Sequence, residues 1–257
     1  NRMADLLPVP YYHVVFTLPS ELNRLVFINN EIIYELLMKA SAETIKELCK
    51  DAKYLGAETG FTSVLHTWGQ NLTLYPHVHM IVPAGGLTPT SQFKTGGKKF
   101  FILVKVMSRK FRGKFLFYLK KLHLEFSSVT GWHQMIDSLY KKDWYVYCKR
   151  PFKSSAAVLK YLGRYTHKIA ISNQRIMGME NGLVSFSYMD YKDKSKSKIM
   201  TLPVDAFIRR FLLHVLPSGF RKIRHYGFFD SSSKREKLKL CITILGAKRS
   251  ELHNVAV

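Results

Sequence analysis

Paired cysteines are missing from this 257-residue chain. Its three cysteines, Cys49, Cys148 and Cys241, lie far apart with no C-x-x-C spacing. That excludes a disulfide framework and a cysteine-rich zinc module, and it suits a reducing cytosol. No apolar run approaches the roughly 18 residues needed to cross a bilayer, so no membrane span is expected. The opening Asn1-Arg2-Met3-Ala4-Asp5 carries neither an initiator methionine nor a signal-peptide apolar stretch, and the chain is expected to be an internal piece of a longer protein. Internal repeats and long low-complexity tracts are also lacking. Acidic residues are scarce: 18 Asp and Glu face 40 Lys and Arg, a formal charge of +22. The apolar content is 47%, and a chain of this length hides about 70–75% of its extended surface on folding. A disordered polycation is therefore excluded. The positive excess points to a polyanionic partner, nucleic acid before an anionic membrane surface.

Residues 12–18, β-branched and aromatic and closed by Pro19, predict a buried strand. Ser20 is expected to cap a helical start. Ile33, Leu36, Leu37, Ile45, Leu48 and Ala52 recur at three- and four-residue spacing, which predicts an amphipathic helix over 30–55. Residues 61–68 and 75–82 predict a strand pair. The glycine-rich stretch 84–100 predicts an insertion or mobile segment, and 109–129 a basic helix. A short strand at 145–148 and a helix over 154–165 follow, then strands at 168–172 and 182–191. The lysine-rich 192–198 is expected to be a hairpin tip or linker, and 204–216 a helix. Strands and helices alternate irregularly, so the expected fold class is α+β with an antiparallel sheet flanked by helices.

The sharpest local pattern is Tyr75-Pro76-His77-Val78-His79-Met80. Residues two apart on a strand share a face, so His77 and His79 present neighbouring imidazoles while Val78 turns away. Such a pair can chelate one divalent ion, with a third protein ligand and water completing the shell. His66 on the partner strand is the favoured third ligand. Gln70 in the connecting turn is the alternative, and His13 on the first strand a weaker one. Strand register decides among them, because a slip of one residue turns a side chain to the other face.

A second pattern is Tyr161-Leu162-Gly163-Arg164-Tyr165. On a helix the two phenols stand about 40° apart around the axis and about 6 Å apart along it. Such a pair ordinarily covers core with its rings. Placed by a metal-bound phosphate, it would instead supply two nucleophiles in turn. Basic clusters recur at Lys98-Lys99, Arg109-Lys110, Arg112, Lys114, Lys120-Lys121, Arg209-Arg210, Arg221-Lys222 and Arg224. Phe111, Tyr118, Phe211 and Phe220 are interleaved with them, as stacking on unpaired bases requires.

Taken in order, the blocks Leu7-Pro-Val-Pro-Tyr-Tyr-His-Val-Val-Phe-Thr-Leu-Pro19, Leu65-His-Thr-Trp-Gly69, Pro76-His-Val-His79, Tyr161-Leu-Gly-Arg-Tyr-Thr-His-Lys-Ile-Ala-Ile-Ser-Asn173, Phe207-Ile-Arg-Arg-Phe211 and His214-Val-Leu-Pro-Ser-Gly-Phe-Arg-Lys-Ile-Arg-His-Tyr-Gly227 resemble a known family. It is that of the two-tyrosine rolling-circle transposases of bacterial insertion sequences. These are His-hydrophobic-His (HUH) endonucleases and relatives of the Helitron transposases. The resemblance implies an RRM-like sheet with an insertion after the H-x-H strand, and one catalytic domain over 1–257. Within that domain, 84–145 would be the insertion and 203–257 a basic extension. It implies His77, His79 and His66 (or Gln70) as ligands of Mg²⁺ or Mn²⁺, and Tyr161 and Tyr165 as nucleophiles. Lys160, Arg164, Arg209, Arg210, Arg221, Lys222 and Arg224 would be DNA contacts. The implied reaction nicks single-stranded DNA at element ends and target through a 5′-phosphotyrosine, in the bacterial cytoplasm at the nucleoid. The resemblance also implies the cysteine-rich zinc-binding segment that members of the family usually carry ahead of the Leu7 block. A replication initiator or relaxase with the same chemistry, or a non-catalytic nucleic-acid-binding module, shares part of the pattern.

Overall fold

The computed structural model describes residues 6–96, 102–152, 163, 169–191, 193–230 and 234–246. Five strands form the main sheet: β1 (Tyr11–Thr17), β2 (Phe61–Trp68), β3 (Leu74–Pro83), β6 (Val146–Phe152) and β10 (Ile223–Tyr226). Their order is β10-β2-β3-β1-β6 and every neighbouring pair is antiparallel. The α+β expectation is met. Strands β1 and β3 occupy the middle of the sheet, and β1 is buried along its whole length. Its helix-facing row, Tyr12, Val14 and Phe16, is apolar throughout, while the opposite row, Tyr11, His13, Val15 and Thr17, buries two polar side chains among apolar ones.

One face of the sheet carries the helices α1 (Asn23–Ile28), α2 (Asn30–Lys50) and α3 (Val104–Lys121). Tyr12, Val14 and Phe16 of β1 and Val78, Met80 and Val82 of β3 meet Ile33, Leu37 and Ile45 of α2 and Phe111, Phe115 and Leu119 of α3 in one core. The segment 84–145 is thus tied into the main core through α3 and through α4 (Trp132–Lys141). The cap of α2 is Asn29, whose side chain accepts from the Ile32 amide at 3.1 Å. Such a cap contributes about 1 kcal/mol.

Several local expectations need correction. Ser20 opens a single 3₁₀ turn over Ser20–Leu22 and caps no helix. The helix begun at Asn30 stops at Lys50, where Asp51 turns to extended backbone and its carboxylate accepts from the Lys53 amide. The basic helix α3 starts five residues earlier than its apolar period suggests and ends at Lys121. The glycine-rich stretch holds a short hairpin, β4 (Gly85–Leu87) with β5 (Phe93–Thr95). Of the strand expected at 168–172, the described residues 169–172 form none. Ala170 and Ile171 instead pack beneath a second sheet, with Phe186 and Leu72.

That second sheet is β7 (Ile176–Glu180), β8 (Leu183–Asp190) and β9 (Lys196–Pro203), in that order. Strand β9 takes up the last three residues, Lys196 to Lys198, of what reads as a lysine-rich linker, and residues 193–195 form the turn before it. Its Lys-Ser-Lys alternation is a strand period, and Lys198 is held on the buried-side row by Asp190 at 2.8 Å and Asp193 at 3.0 Å. The turn before it places Lys194 and Ser195 at positive φ. Helix α5 (Val204–Leu212) follows β9 and is shorter than expected, and α6 (Lys234–Ile244) is the last described element. Gly227, which ends β10, has φ +60° and a Cβ position 2.0 Å from the Thr59 carbonyl oxygen, so no other residue fits there.

Candidate metal centre

The face of the main sheet opposite the helices carries the histidines. In the β2–β3 ladder His66 lies directly across from His77, and Val64 across from His79. His66, His77 and His79 therefore share one face, as cross-strand partners and i, i+2 neighbours must. One ligand nitrogen from each lies within 4.8 Å of the others. Their ring centroids are 4.7 to 5.5 Å apart. His66 and His79 are buried and His77 is half-buried.

Two of the rings are oriented by hydrogen bonds. His77 Nδ1 lies 2.7 Å from the Tyr75 carbonyl, which only accepts, so Nδ1 carries the proton and Nε2 the lone pair. His79 Nδ1 lies 2.8 Å from His13 Nε2, and the two rings stack at 5.1 Å. When His79 donates there, its Nε2 likewise carries a lone pair. Ligating histidines are ordinarily held this way, by a partner on the far nitrogen. His13 thus stands behind His79 and does not complete the triad. Gln70 lines the same cleft, with its side-chain nitrogen donating to the Tyr191 hydroxyl at 3.3 Å.

The residues fit a divalent ion on two counts. Three neutral imidazole nitrogens converge from two rigid strands, a donor set that borderline cations take. Thr17 adds a second: it pairs with His77 in the β1–β3 ladder, is buried, and its Oγ1 has no hydrogen-bond partner among the described residues. A buried hydroxyl in that position awaits a group the described residues do not supply.

The triad opens into a cleft of about 620 Å³ between the β2–β3 turn and the end of β8. A bulge separates His66 from Trp68, and the intervening Thr67 is buried. Its hydroxyl meets His214 Nδ1 at 3.2 Å, while His214 Nε2 donates to the Leu72 carbonyl at 3.2 Å. Burial pushes this imidazole below its ordinary range, so His214 is a neutral strut between the hairpin and the segment after α5. The Arg175 guanidinium joins the cleft's two sides, donating to the Gln70 carbonyl and, at 2.8 Å, to that of Ser187.

Tyr161, Tyr165, Lys160 and Arg164 lie outside the described residues. Arg209 and Arg221 are exposed. Arg210 is half-buried and donates to the Asn71 carbonyl at 3.3 Å. Lys222 is half-buried, its carbonyl accepting from Leu65. Arg224 is half-buried and engaged by a two-pronged ion pair with the exposed Glu35 of α2. The basic helix α3 is on the far side of the sheet from the histidines. Its Lys114 pairs with Glu43 and Glu47, its Lys110 with Glu47, and its Arg112 caps the Lys142 carbonyl at 2.6 Å. Phe111 is fully buried, so the stacking role expected for it does not hold. Tyr118 donates to Glu43, Phe220 packs edge-on against Tyr34, and Phe211 is exposed. Sequence reading missed Trp68, Tyr75, Tyr188 and Tyr191, which line the cleft. Tyr75 was within reach of the same alternation that singles out the histidines. Tyr191 has no local signal.

The Glu35–Arg224 pair carries a pH prediction. Its hydrogen bonds from Arg224 hold the Glu35 carboxyl below the usual carboxylate range. A depressed carboxyl stabilises the fold above its unfolded value, near 4.3, and loses that contribution as pH falls through its folded value. Arg224→Met should therefore lower the melting temperature slightly at pH 7, with the gap to the unaltered protein closing below about pH 4. A gap that persisted at low pH would show that packing of the arginine stem, and not the ion pair, is responsible.

The family described as "Putative transposase" (Y2_Tnp) matches residues 60–237. A relative from Sinorhizobium fredii (strain NBRC 101917 / NGR234), named "Putative transposase y4qJ", is 44% identical over 258 residues, covering 96% of this chain and 65% of its own. The "Transposase for insertion sequence element IS801" of Pseudomonas savastanoi pv. phaseolicola is 28% identical over 243 residues, covering 89% and 55% respectively. The chain thus spans between about half and two thirds of the length of these curated relatives. No solved structure matches. With the family match running from β2 and the H-x-H strand through the start of α6, the chain belongs to the Y2_Tnp family of insertion-sequence transposases.

Proposed function

We propose that this chain is the strand-nicking and strand-transfer unit of an insertion-sequence transposase, acting on single-stranded DNA through a tyrosine. The observation that carries the reading is the convergence of His66, His77 and His79 on one face of the sheet in a member of a transposase family. A divalent ion held by these three would polarise a phosphate oxygen and offset charge at the phosphorus. Three nitrogen donors suit a transition ion such as Mn²⁺ better than Mg²⁺, a hard cation that prefers oxygen.

The chain's own residues do the rest. His13 and the Tyr75 carbonyl fix the ring orientations, and the sheet fixes the spacing. The phenol oxygen of Tyr161 or Tyr165 attacks the phosphorus of a DNA diester. The O–P bond to tyrosine forms, the bond to the 3′ oxygen breaks, the phenol proton is lost and the 3′ oxygen takes one up. A 3′-hydroxyl of a second strand end later attacks the phosphotyrosine and restores the diester. One diester bond is exchanged for another, so no external energy source enters. A second tyrosine lets the protein hold two strand ends in succession. The net charge of +22 supports a DNA partner, and among the described residues no helix is long and apolar enough to cross a membrane.

The test is to incubate the full-length protein with 5′-blocked single-stranded oligonucleotides carrying an element end, then run a denaturing protein gel. A covalent protein–DNA band is expected with Mn²⁺ and not with EDTA. It should vanish in the Tyr161→Phe/Tyr165→Phe double variant. A band that survives the double variant, or its absence from intact protein with metal, sinks the proposal.

A further inference from the structure

We propose that the cleft beside the triad is a nucleobase subsite, in which an unstacked base next to the scissile phosphate lies between aromatic rings. This rests on the strand-nicking reading and goes one step further by naming what holds the substrate. The cleft is built from two chain segments. Trp68 and Tyr75 come from the two strands that carry the histidines, and Tyr188 and Tyr191 come from the end of β8 and the turn after it. Trp68 is stacked on His66 at 4.7 Å with planes 16° apart, and Tyr75 lies 5.2 Å from His77, so these rings adjoin the ligands.

Strand alternation explains why Tyr188 is there. Val184 and Phe186 point beneath the second sheet, and Tyr188 is the next residue of that row. Beyond Phe186 the row runs out of core and reaches the cleft. Tyr75 and Tyr191 are 42% and 69% exposed, a large aromatic surface to leave in water without a use. The two sides are fixed to each other by Arg175 and by the Gln70–Tyr191 hydrogen bond, so the rings are pre-positioned. The Gln70 and Asn71 amides at the rim supply donors and acceptors of the kind that read a base edge.

A volume of about 620 Å³ is within the range of small-ligand sites. Paired bases stay stacked on their neighbours and cannot enter, whereas every unpaired base offers a π-face to tyrosine. The subsite therefore selects single strands by shape, and it does so whether or not a metal is bound.

The experiment uses the full chain in EDTA with single strands of about 12 nucleotides carrying 2-aminopurine at successive positions. Stacking quenches this base, so quenching is expected at one or two adjacent positions and not in the matching duplex. Tyr191→Ala and Tyr75→Ala should each abolish the quench and weaken binding by about fivefold to tenfold. Tyr191→Phe keeps the ring and loses the hydroxyl that accepts from Gln70; it should retain the quench and most of the affinity, because Arg175 still ties the two sides together. An abasic site at the quenched position should weaken binding equally, with no further loss in Tyr191→Ala. No quenched position, or unchanged quench in Tyr191→Ala, overturns the subsite even if the metal-dependent covalent band forms. Quenching with no covalent band under any metal leaves the subsite standing and removes the nicking reading.

Discussion

His77→Ala and His79→Ala should each lower Mn²⁺ affinity by more than about 100-fold, measured by the loss of the free-ion electron paramagnetic resonance signal. The scale follows from second-sphere changes, which alone cost about 10–100-fold. His13→Ala falls in that lower class. It leaves all three ligands in place and removes only the hydrogen bond behind His79. DNA binding in EDTA should be unaltered in all three variants, because the rings lie within a rigid sheet and carry little of the charge that meets phosphate. Covalent strand capture should fall with metal affinity, in the order His77 and His79 before His13. If His13→Ala proves as damaging as His77→Ala, then His13 is itself a ligand and the triad is wrongly composed.

The second large effect is expected far from the metal. Phe111→Ala should destabilise the protein by about 3–5 kcal/mol, the usual result of removing a fully buried ring. In the core Phe111 meets Phe16 at 4.9 Å, Trp144 at 5.3 Å and Phe115 at 6.2 Å. For a chain of this size that corresponds to a drop in melting temperature of roughly 10 °C, while the folded fraction binds single strands as before. A small thermal shift with a large loss of DNA affinity would return Phe111 to the stacking role that its basic neighbours suggest.

The contrast between these two sites shows where local pattern carries information. His77 and His79 are legible because alternation along a strand is a property of the backbone, independent of what surrounds it. His66 was within reach as well, since it lies on the partner strand, but its facing was not. Register is a long-range property, set here by the ladder in which His66 meets His77. His13 is legible as a histidine on a strand and not as the partner of His79, which lies 66 residues away.

The basic residues mislead for a related reason. A run such as Arg109-Lys110, Arg112, Lys114 reads as a phosphate track until α2 supplies Glu43 and Glu47 beside it. Arg224 reads as free charge until Glu35, 189 positions earlier, is placed against it. Strand β9 is hidden because its lysines resemble solvated linker, and only the carboxylates of Asp190 and Asp193 explain a lysine at 198 in the row of Met200 and Leu202. The cleft belongs to the same class. Tyr75 and Tyr191 become neighbours of one space only when a second sheet closes over the β2–β3 turn. The tyrosine pair stands apart, because its assignment rests on the family pattern around Tyr161 and Tyr165.

Crystals of the protein with Mn²⁺, measured at the manganese absorption edge, test the arrangement most directly. One anomalous peak is expected, bonded to nitrogens of His66, His77 and His79, with a phenol oxygen of Tyr161 or Tyr165 the nearest nucleophile to its open side. A peak held by other side chains, or both phenols packed in the apolar interior, would contradict the account.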